Sequence, residues 1–222
     1  MADPRAHARE LARESIARGD VTGWFDQLYR ESERDGFAIS WVDLAPNPYL
    51  VEWIRGRLEG SEPPRGRALV VGCGYGDDAE LLAGLGLDVV AFDISATAVD
   101  RCRSRFPVSR VEYVTADALE PPVAWSGAFD LVFEAYTVQV LPGEARAACA
   151  SSIAGTVAPG GVLVAVARSR RPDDPEGLMP WPLTRDELDA FLVPGMRLSN
   201  LQEIVEPGDP PVPRFVAEFR RA

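Results

Sequence analysis

The sequence predicts an α/β fold: a mostly parallel sheet with an antiparallel C-terminal hairpin strand, preceded by an N-terminal helical cap. Three observations carry this. Short apolar runs without period-2 alternation recur from Ala68 onward, as strands buried on both faces require. Helical segments alternate with them, which implies parallel strands joined by crossovers. The first 60 residues instead read as helix, with Pro63-Pro64 as a short linker. A chain of 222 residues, 46% hydrophobic and 26% charged, can bury a sizeable core as one globular unit. The expected division is a cap over 1–60 and a main domain over 61–222.

In order along the chain, Leu11, Ser15 and Arg18 continue a polar pattern expected to be a solvated helix. Trp24 and Leu28, then Phe37, Ile39 and Trp41, are more clearly apolar. Asn47-Pro48 reads as an N-cap with proline at the first helical position. That helix would carry Leu50, Trp53, Ile54 and Leu58 on one face and stop at Gly60. Strands are expected at Ala68–Val71, Asp88–Phe92, Val111–Thr115, Phe129–Phe133 and Gly161–Ala167. Helices are expected over Ala79–Leu85 and from a Ser95 cap through Arg105. Thr184-Arg-Asp-Glu187 is a capping box opening a short helix. Leu198–Glu206 and Phe215–Arg221 read as two strands with a Pro-rich connection, a hairpin on the sheet edge. No repeat or low-complexity tract interrupts the pattern.

Composition excludes several functions. The formal charge of −11 argues against nucleic acid and against an anionic membrane surface. All 23 basic residues are Arg, which removes lysine Schiff-base chemistry and a phosphate-loop lysine. His7 stands alone near the N-terminus and is expected to be solvated, so a Ser-His-Asp triad or a His-rich metal site is not expected. Cys73, Cys102 and Cys149 lack CxxC spacing, which fits neither zinc nor a disulfide framework and suits a reducing, cytoplasmic setting. Residues Met1 to Asp20 hold no apolar run of signal-peptide type, and no stretch has the length to span a bilayer. The acidic surplus reads as a solvated face without a partner.

The chemistry sits in Leu69-Val-Val-Gly-Cys-Gly-Tyr-Gly-Asp-Asp78. A strand runs into Gly72-x-Gly74-x-Gly76 and then into a helix, whose first N–H groups are free for polar atoms. Glycines let the backbone turn tightly and approach a ligand closely. Asp93, at the end of the second strand, can accept both hydroxyls of a ribose. A dinucleotide site wants a glycine where Asp77 stands, and acids at Asp77 and Asp78 would repel a pyrophosphate. A nucleoside ligand without phosphates suits this loop better.

At these residues the chain resembles the class I S-adenosylmethionine (SAM)-dependent methyltransferases, which implies a Rossmann-like sheet. Asp93 matches the acid that binds the ribose hydroxyls. Asp117, in Thr115-Ala-Asp-Ala118, looks like the acid that contacts the adenine amino group, with Ala118 beside it. Phe129-Asp-Leu-Val-Phe-Glu134 is similar to the fourth-strand motif, whose end faces the methyl donor. Ala158-Pro-Gly-Gly161 resembles the turn before the fifth strand. These matches run in order from about residue 66 to 170. Trp24-Phe-Asp-Gln-Leu-Tyr29, Gly72-Cys-Gly74, Asp93-Ile-Ser95 and Pro180-Trp-Pro-Leu-Thr184 further resemble the thiopurine and thiol methyltransferase group, which includes halide methyltransferases. That group closes a Trp-bearing N-terminal helix over the cofactor, which places Trp24 near the donor. The group often has a second aromatic four residues later, where this chain has Leu28.

The resemblance therefore implies SAM, with S-adenosyl-L-homocysteine as product, held by Trp24, Val71, Gly72, Cys73, Gly74, Gly76, Asp93, Ile94, Asp117, Ala118 and Glu134. Tyr136, Trp41 and Trp181 stand where a small-molecule acceptor would lie. Each tryptophan also reads as core, Asp117 also as a plain loop carboxylate, and Cys73 better as a small buried residue than a nucleophile. Glu134 ends an apolar strand, where an acid needs a task or a partner. No general base is evident; Glu134 and Tyr136 are weak catalytic candidates. A thiol ionises usefully without help, its reference pKa being about 8.5. The acceptor is therefore expected to be a thiol or similarly nucleophilic, in a monomer or homodimer. A small-molecule O- or N-methyltransferase, a nucleotide-dependent oxidoreductase and a non-catalytic SAM-binding protein are the alternatives.

Overall fold

A computed structural model describes residues 5–60, 63–208 and 210–222. The expected boundary between residues 60 and 61, and the chain start before residue 5, touch residues outside those described. The sheet has seven strands: β1 (Arg67–Val71), β2 (Asp88–Asp93), β3 (Glu112–Thr115), β4 (Phe129–Ala135), β5 (Val157–Arg168), β6 (Met196–Glu206) and β7 (Val212–Arg221). Their order is β3-β2-β1-β4-β5-β7-β6. The first five are parallel, and β7 is antiparallel to both β5 and β6. The chain leaves β1 toward β2 and then returns to β4 on its other side. A parallel sheet holds its ligand at such a switch, beyond the carboxyl ends of the strands.

The helices are α1 (Ala6–Ala17), α2 (Trp24–Asp35), α3 (Pro48–Glu59), α4 (Asp77–Gly84), α5 (Ala96–Arg105) and α6 (Gly143–Gly155). One sheet face is covered by α3, α4 and α5 through Leu50, Ile54, Leu82 and Val99. The other is covered by α6 and the short 3-10 helix Asp186–Phe191 through Cys149, Ile153, Leu188 and Phe191. Caps hold where the sequence placed them. The Asn47 side chain accepts from Tyr49 N, and Ser95 Oγ accepts from Ala98 N. Thr184 and Glu187 bond reciprocally, Thr184 N donating to Glu187 and Glu187 N to Thr184 Oγ1.

Four expectations need correction. Leu11 and Ser15 are not solvated: Leu11 packs with Ala8 and Ala12 in a third core cluster, against α2, Ile39 and Met179, and the buried Ser15 hydroxyl donates to Asp20 O at 2.7 Å. Leu58 does not share the buried face of α3 and is exposed. Ala158-Pro-Gly-Gly161 is no separate turn but an irregularity within β5, where the register with β4 jumps between Phe129 and Leu131. Helix α6 went unread because its buried face is largely Ala and Cys, too small to print a clear apolar stripe. Helix α3, expected within the cap, packs in the sheet's own layer. The cap proper is α1, α2 and the segment following them.

Candidate active site

A cavity of about 390 Å³ opens at the carboxyl ends of the parallel strands. Its floor is the loop after β1, the ends of β2, β4 and β5, and the turn after β3. Its roof is the cap, through Arg5, Ala8, Phe25, Tyr29 and Trp41. Ligand cavities commonly measure roughly 300–1,000 Å³.

The glycine loop explains the sharp reversal between β1 and α4. Gly72 has φ +58°, and a Cβ there would lie 2.4 Å from Thr137 Oγ1. Gly76 has φ +90°, and a Cβ there would meet Tyr113 Oη at 2.6 Å. Both positions need glycine for conformation and for space. The loop is tied to β2 by Cys73 N, which donates to Phe92 O at 2.8 Å.

Asp93 is buried, 6% exposed, and lines the cavity. Its Oδ2 accepts from Gly74 N at 3.0 Å and its Oδ1 from Ser95 N at 2.9 Å. Burial pushes its pKa up to about 6, against the pull of those N–H groups. A carboxylate offers about four acceptor directions, so two remain for hydroxyls. Asp117 also lines the cavity and turns its own loop by accepting from Leu119 N at 2.8 Å. Together the glycine cradle, the buried acceptor at Asp93 and the second acid at Asp117 fit the ribose and base of SAM.

The acids after the loop are not free charges. Arg105 donates to both oxygens of Asp77, at 2.8 and 2.9 Å. Asp78 accepts from Asn47 N at 2.6 Å, and burial raises its pKa to about 6. The expected repulsion of a pyrophosphate is thereby reduced, since Arg105 neutralises Asp77 in place.

Of the expected site residues, the cavity brings together Gly72, Cys73, Gly74, Asp93, Ile94, Asp117, Ala118, Tyr136 and Trp41. Trp24, Val71, Gly76, Glu134 and Trp181 do not line it. Trp24 is 1% exposed in the cap core, stacked on Phe25 at 3.8 Å between centroids. One helical residue on, Phe25 and Tyr29 face the cavity instead. Positions four apart share a helix face, so the aromatic pair sits at Phe25 and Tyr29 where the resemblance pointed to Trp24 and Leu28. Tyr29 accepts from Trp41 Nε1 at 3.2 Å, and a Cβ on Gly74 would stand 3.5 Å from its hydroxyl. Trp181 packs on the cap cluster, 5.7 Å from the Arg146 guanidinium, while its neighbours Met179 and Pro180 reach the cavity.

Glu134 is 1% exposed and holds a turn. Its Oε1 accepts from Thr137 N at 2.7 Å and Val138 N at 3.0 Å, and burial pushes its pKa up to about 7. The turn it fixes carries Tyr136, at φ +64°, and the Thr137 hydroxyl above Gly72. Burial also holds Tyr136 up at about 12, and a hydrogen bond with Cys102, followed by burial, pushes the Cys73 thiol well above its ordinary range. The expected solvated His7 is half exposed and bonds Glu31 at 2.6 Å, away from the cavity.

The cap is fastened across the site. Asp26 on α2 accepts from Ser95 Oγ at 2.8 Å and from Thr97 N at 3.0 Å, joining it to the start of α5. At the far side of the cavity, Arg168 at the end of β5 and Arg214 near the start of β7 are direct register partners. Sequence reasoning passed over both, and it counted Phe25 and Tyr29 only among the N-terminal aromatics available to cover the site; a polar end to an apolar strand was the available signal for Arg168.

Comparisons with known proteins agree with this geometry. A family model described as a methyltransferase domain matches residues 68–161. The Arabidopsis thaliana protein "Probable thiol methyltransferase 2" is 29% identical over 179 residues, covering 77% of this chain and 76% of that one. A solved structure described as "Conversion of a Disulfide Bond into a Thioacetal Group during Echinomycin Biosynthesis" superposes with TM-score 0.72 at 25% identity, covering 90% and 91% of the two chains. The N-methyltransferase NodS from Bradyrhizobium japonicum WM9, in complex with S-adenosyl-L-homocysteine, gives TM-score 0.64 at 21% identity, covering 87% and 97%. Among the described residues no helix is long and apolar enough to cross a membrane. On its sheet order, its glycine cradle and its matched domain, the chain is a class I SAM-dependent methyltransferase that resembles the thiol methyltransferases.

Proposed function

We propose that this enzyme methylates the sulfur of a small-molecule thiol. SAM, when bound, supplies a methyl group on a sulfonium, a good leaving group, for in-line displacement. Asp93 and Asp117 would hold its nucleoside, and the glycine loop would let it approach the backbone. The chain's remaining work is to orient the acceptor and exclude water, which the roof of Phe25, Tyr29 and Trp41 supports.

The single observation behind the thiol is that no histidine lines the cavity among the described residues and that the lining acids raised toward neutral pH, Asp93 and Asp78, are already engaged by backbone N–H groups. A general base works best with a pKa near the operating pH. Tyr136 is pushed too high by burial, and Cys73 by its hydrogen bond with Cys102 and then by burial. Asp93 is engaged by two N–H groups, and Glu134, though near neutral, is spent on its turn and does not line the cavity. An acceptor must then arrive already nucleophilic, and a thiol does so through its thiolate fraction without help. The names of the relatives point the same way: a thiol methyltransferase, and a structure concerned with converting a disulfide into a thioacetal.

The test is turnover of matched thiol, phenol and amine acceptors, read by mass spectrometry. The thiol should turn over fastest, and its kcat/KM should rise with pH along the thiol's own pKa. A phenol or amine that outpaces the matched thiol removes the proposal.

A further inference from the structure

We propose that Arg168 and Arg214 form a subsite for a carboxylate of the methyl acceptor, remote from the atom that is methylated. The proposal rests on the methyltransferase reading and deepens it by naming a substrate class.

The two arginines stand directly opposite each other on antiparallel β5 and β7. Directly paired like charges destabilise a sheet unless something lies between them. Both side chains line the cavity. Arg214 donates to Glu206 through Nη2 and lies 5.1 Å over the Tyr136 ring. Its Nε is buried and has no hydrogen-bond partner. The Arg168 guanidinium has no ion-pair or hydrogen-bond partner among the described residues; its backbone N–H donates to Gln139 Oε1 at 2.7 Å and its carbonyl accepts from Leu183 N at 2.8 Å. Glu206 is the carboxylate facing them, and it is shared with the Tyr49 hydroxyl at 2.5 Å. Arg5 reaches the cavity from the cap. Burial and the nearby charges of Arg5, Arg214 and Arg9 hold Arg168 below its ordinary range, against the opposing charge of Glu206.

The position separates this pair from the nucleoside end. Asp93 ends β2, and Arg168 ends β5 three strand places away, about 14 Å at ordinary strand spacing. The cavity is therefore acidic at one end and basic at the other, which suits a cationic donor and an anionic acceptor placed end to end. A planar guanidinium fork matches a carboxylate in two-point contact. A carboxylate between the pair would satisfy Arg214 Nε or the free fork of Arg168 and offset the like-charge cost. Held so, it would aim the rest of the acceptor along the cavity toward β1 and β4.

The test uses the full chain with S-adenosyl-L-homocysteine present and two probes of one shape, benzoate and benzamide, followed by calorimetry. Benzoate should bind at least about tenfold tighter than benzamide, as charge-assisted bonds imply. Arg168→Met and Arg214→Met should each lose that preference while S-adenosyl-L-homocysteine affinity stays level. Arg214 also holds Glu206; if its variant fails to fold, Arg168→Met decides, because it breaks no ion pair. Equal binding of the two probes, or no benzoate binding, overturns the subsite. A parallel loss of S-adenosyl-L-homocysteine affinity overturns it too, by assigning the arginines to the cofactor's own carboxylate. Turnover of thiophenol and 3-mercaptobenzoate separates this from the thiol proposal. Benzoate selectivity without thiol turnover keeps the subsite and removes the thiol, and thiol turnover without benzoate selectivity does the reverse.

Discussion

The two ends of the cavity are built in opposite ways. The end proposed for the nucleoside is local: a strand, a glycine loop, a helix and the next strand, joined by backbone bonds from Gly74 and Ser95 to Asp93. The end proposed for the acceptor is assembled from distant segments: α2, the turn after β4, the end of β5 and the start of β7. A motif can hold the first because its parts are neighbours in sequence. The second depends on packing, so its chemistry can change while the sheet stays the same. That division explains why SAM dependence follows from the chain's family while the acceptor needs a geometric argument.

The largest expected effect removes the roof and spares the floor. Neither sheet core cluster draws a buried residue from residues 5–30. Deleting residues 1–30 should leave a folded sheet, abolish turnover and weaken SAM binding, read by circular dichroism, mass spectrometry and calorimetry. Normal turnover by the truncated chain would remove the cap from the site; an unfolded product would make the cap part of the core. In the full chain, hydrogen exchange before about Thr22 should slow when SAM is added, and unchanged exchange would argue against closure.

Next, Asp93→Ala attacks the floor alone. Each hydrogen bond to an ionised acceptor contributes about 1.5–3 kcal/mol, so SAM affinity should fall roughly tenfold to a hundredfold or more. Unchanged affinity in calorimetry would withdraw Asp93 from the ribose.

The pH dependence is smaller and has a definite sign. The folded pKa values of Asp93 and Asp78 are raised to about 6, and that of Glu134 to about 7. Their protonated forms are favoured by folding, so the stability they contribute is complete below about pH 4. It is lost as pH rises through 6 to 7. SAM binding should run the other way, tightening as Asp93 ionises through about pH 6. Thermal melts and calorimetry from pH 4.5 to 8 check both, and parallel trends would contradict the assignment. Smallest of all is Tyr136→Phe. A hydroxyl held at about 12 is no base at neutral pH, so kcat with a thiol should change by less than about tenfold, below the usual general-base contribution. A greater loss would return Tyr136 to the catalytic candidates.

Much of the fold was legible because buried strands print apolar runs and capping residues mark helix starts. β1, β2 and β4, the Asn47, Ser95 and Thr184 caps, and the edge hairpin were read from such signals. Helix α6 was not, since Ala and Cys bury well without an apolar stripe. Leu11 and Ser15 looked solvated because a polar pattern hides a buried face when the neighbouring element is unknown. In the site, the Gly72–Gly76 loop, Asp93 and Asp117 were legible as a local pattern. Phe25 and Tyr29 were displaced by one residue from Trp24 and Leu28, a rotation of about 100° on a helix that spacing alone does not settle.

By itself the sequence determined the α/β order, the glycine turn and the acid beyond it, because each depends on neighbours along the chain. The tertiary structure decided which face of α2 looks into the cavity and that Glu134 serves a turn. It also decided that Asp77 is neutralised by Arg105 and that Arg168 meets Arg214. The physical reason is common to all four: charge and burial act through space, and the partners that set them lie 3 to 71 residues away in the chain.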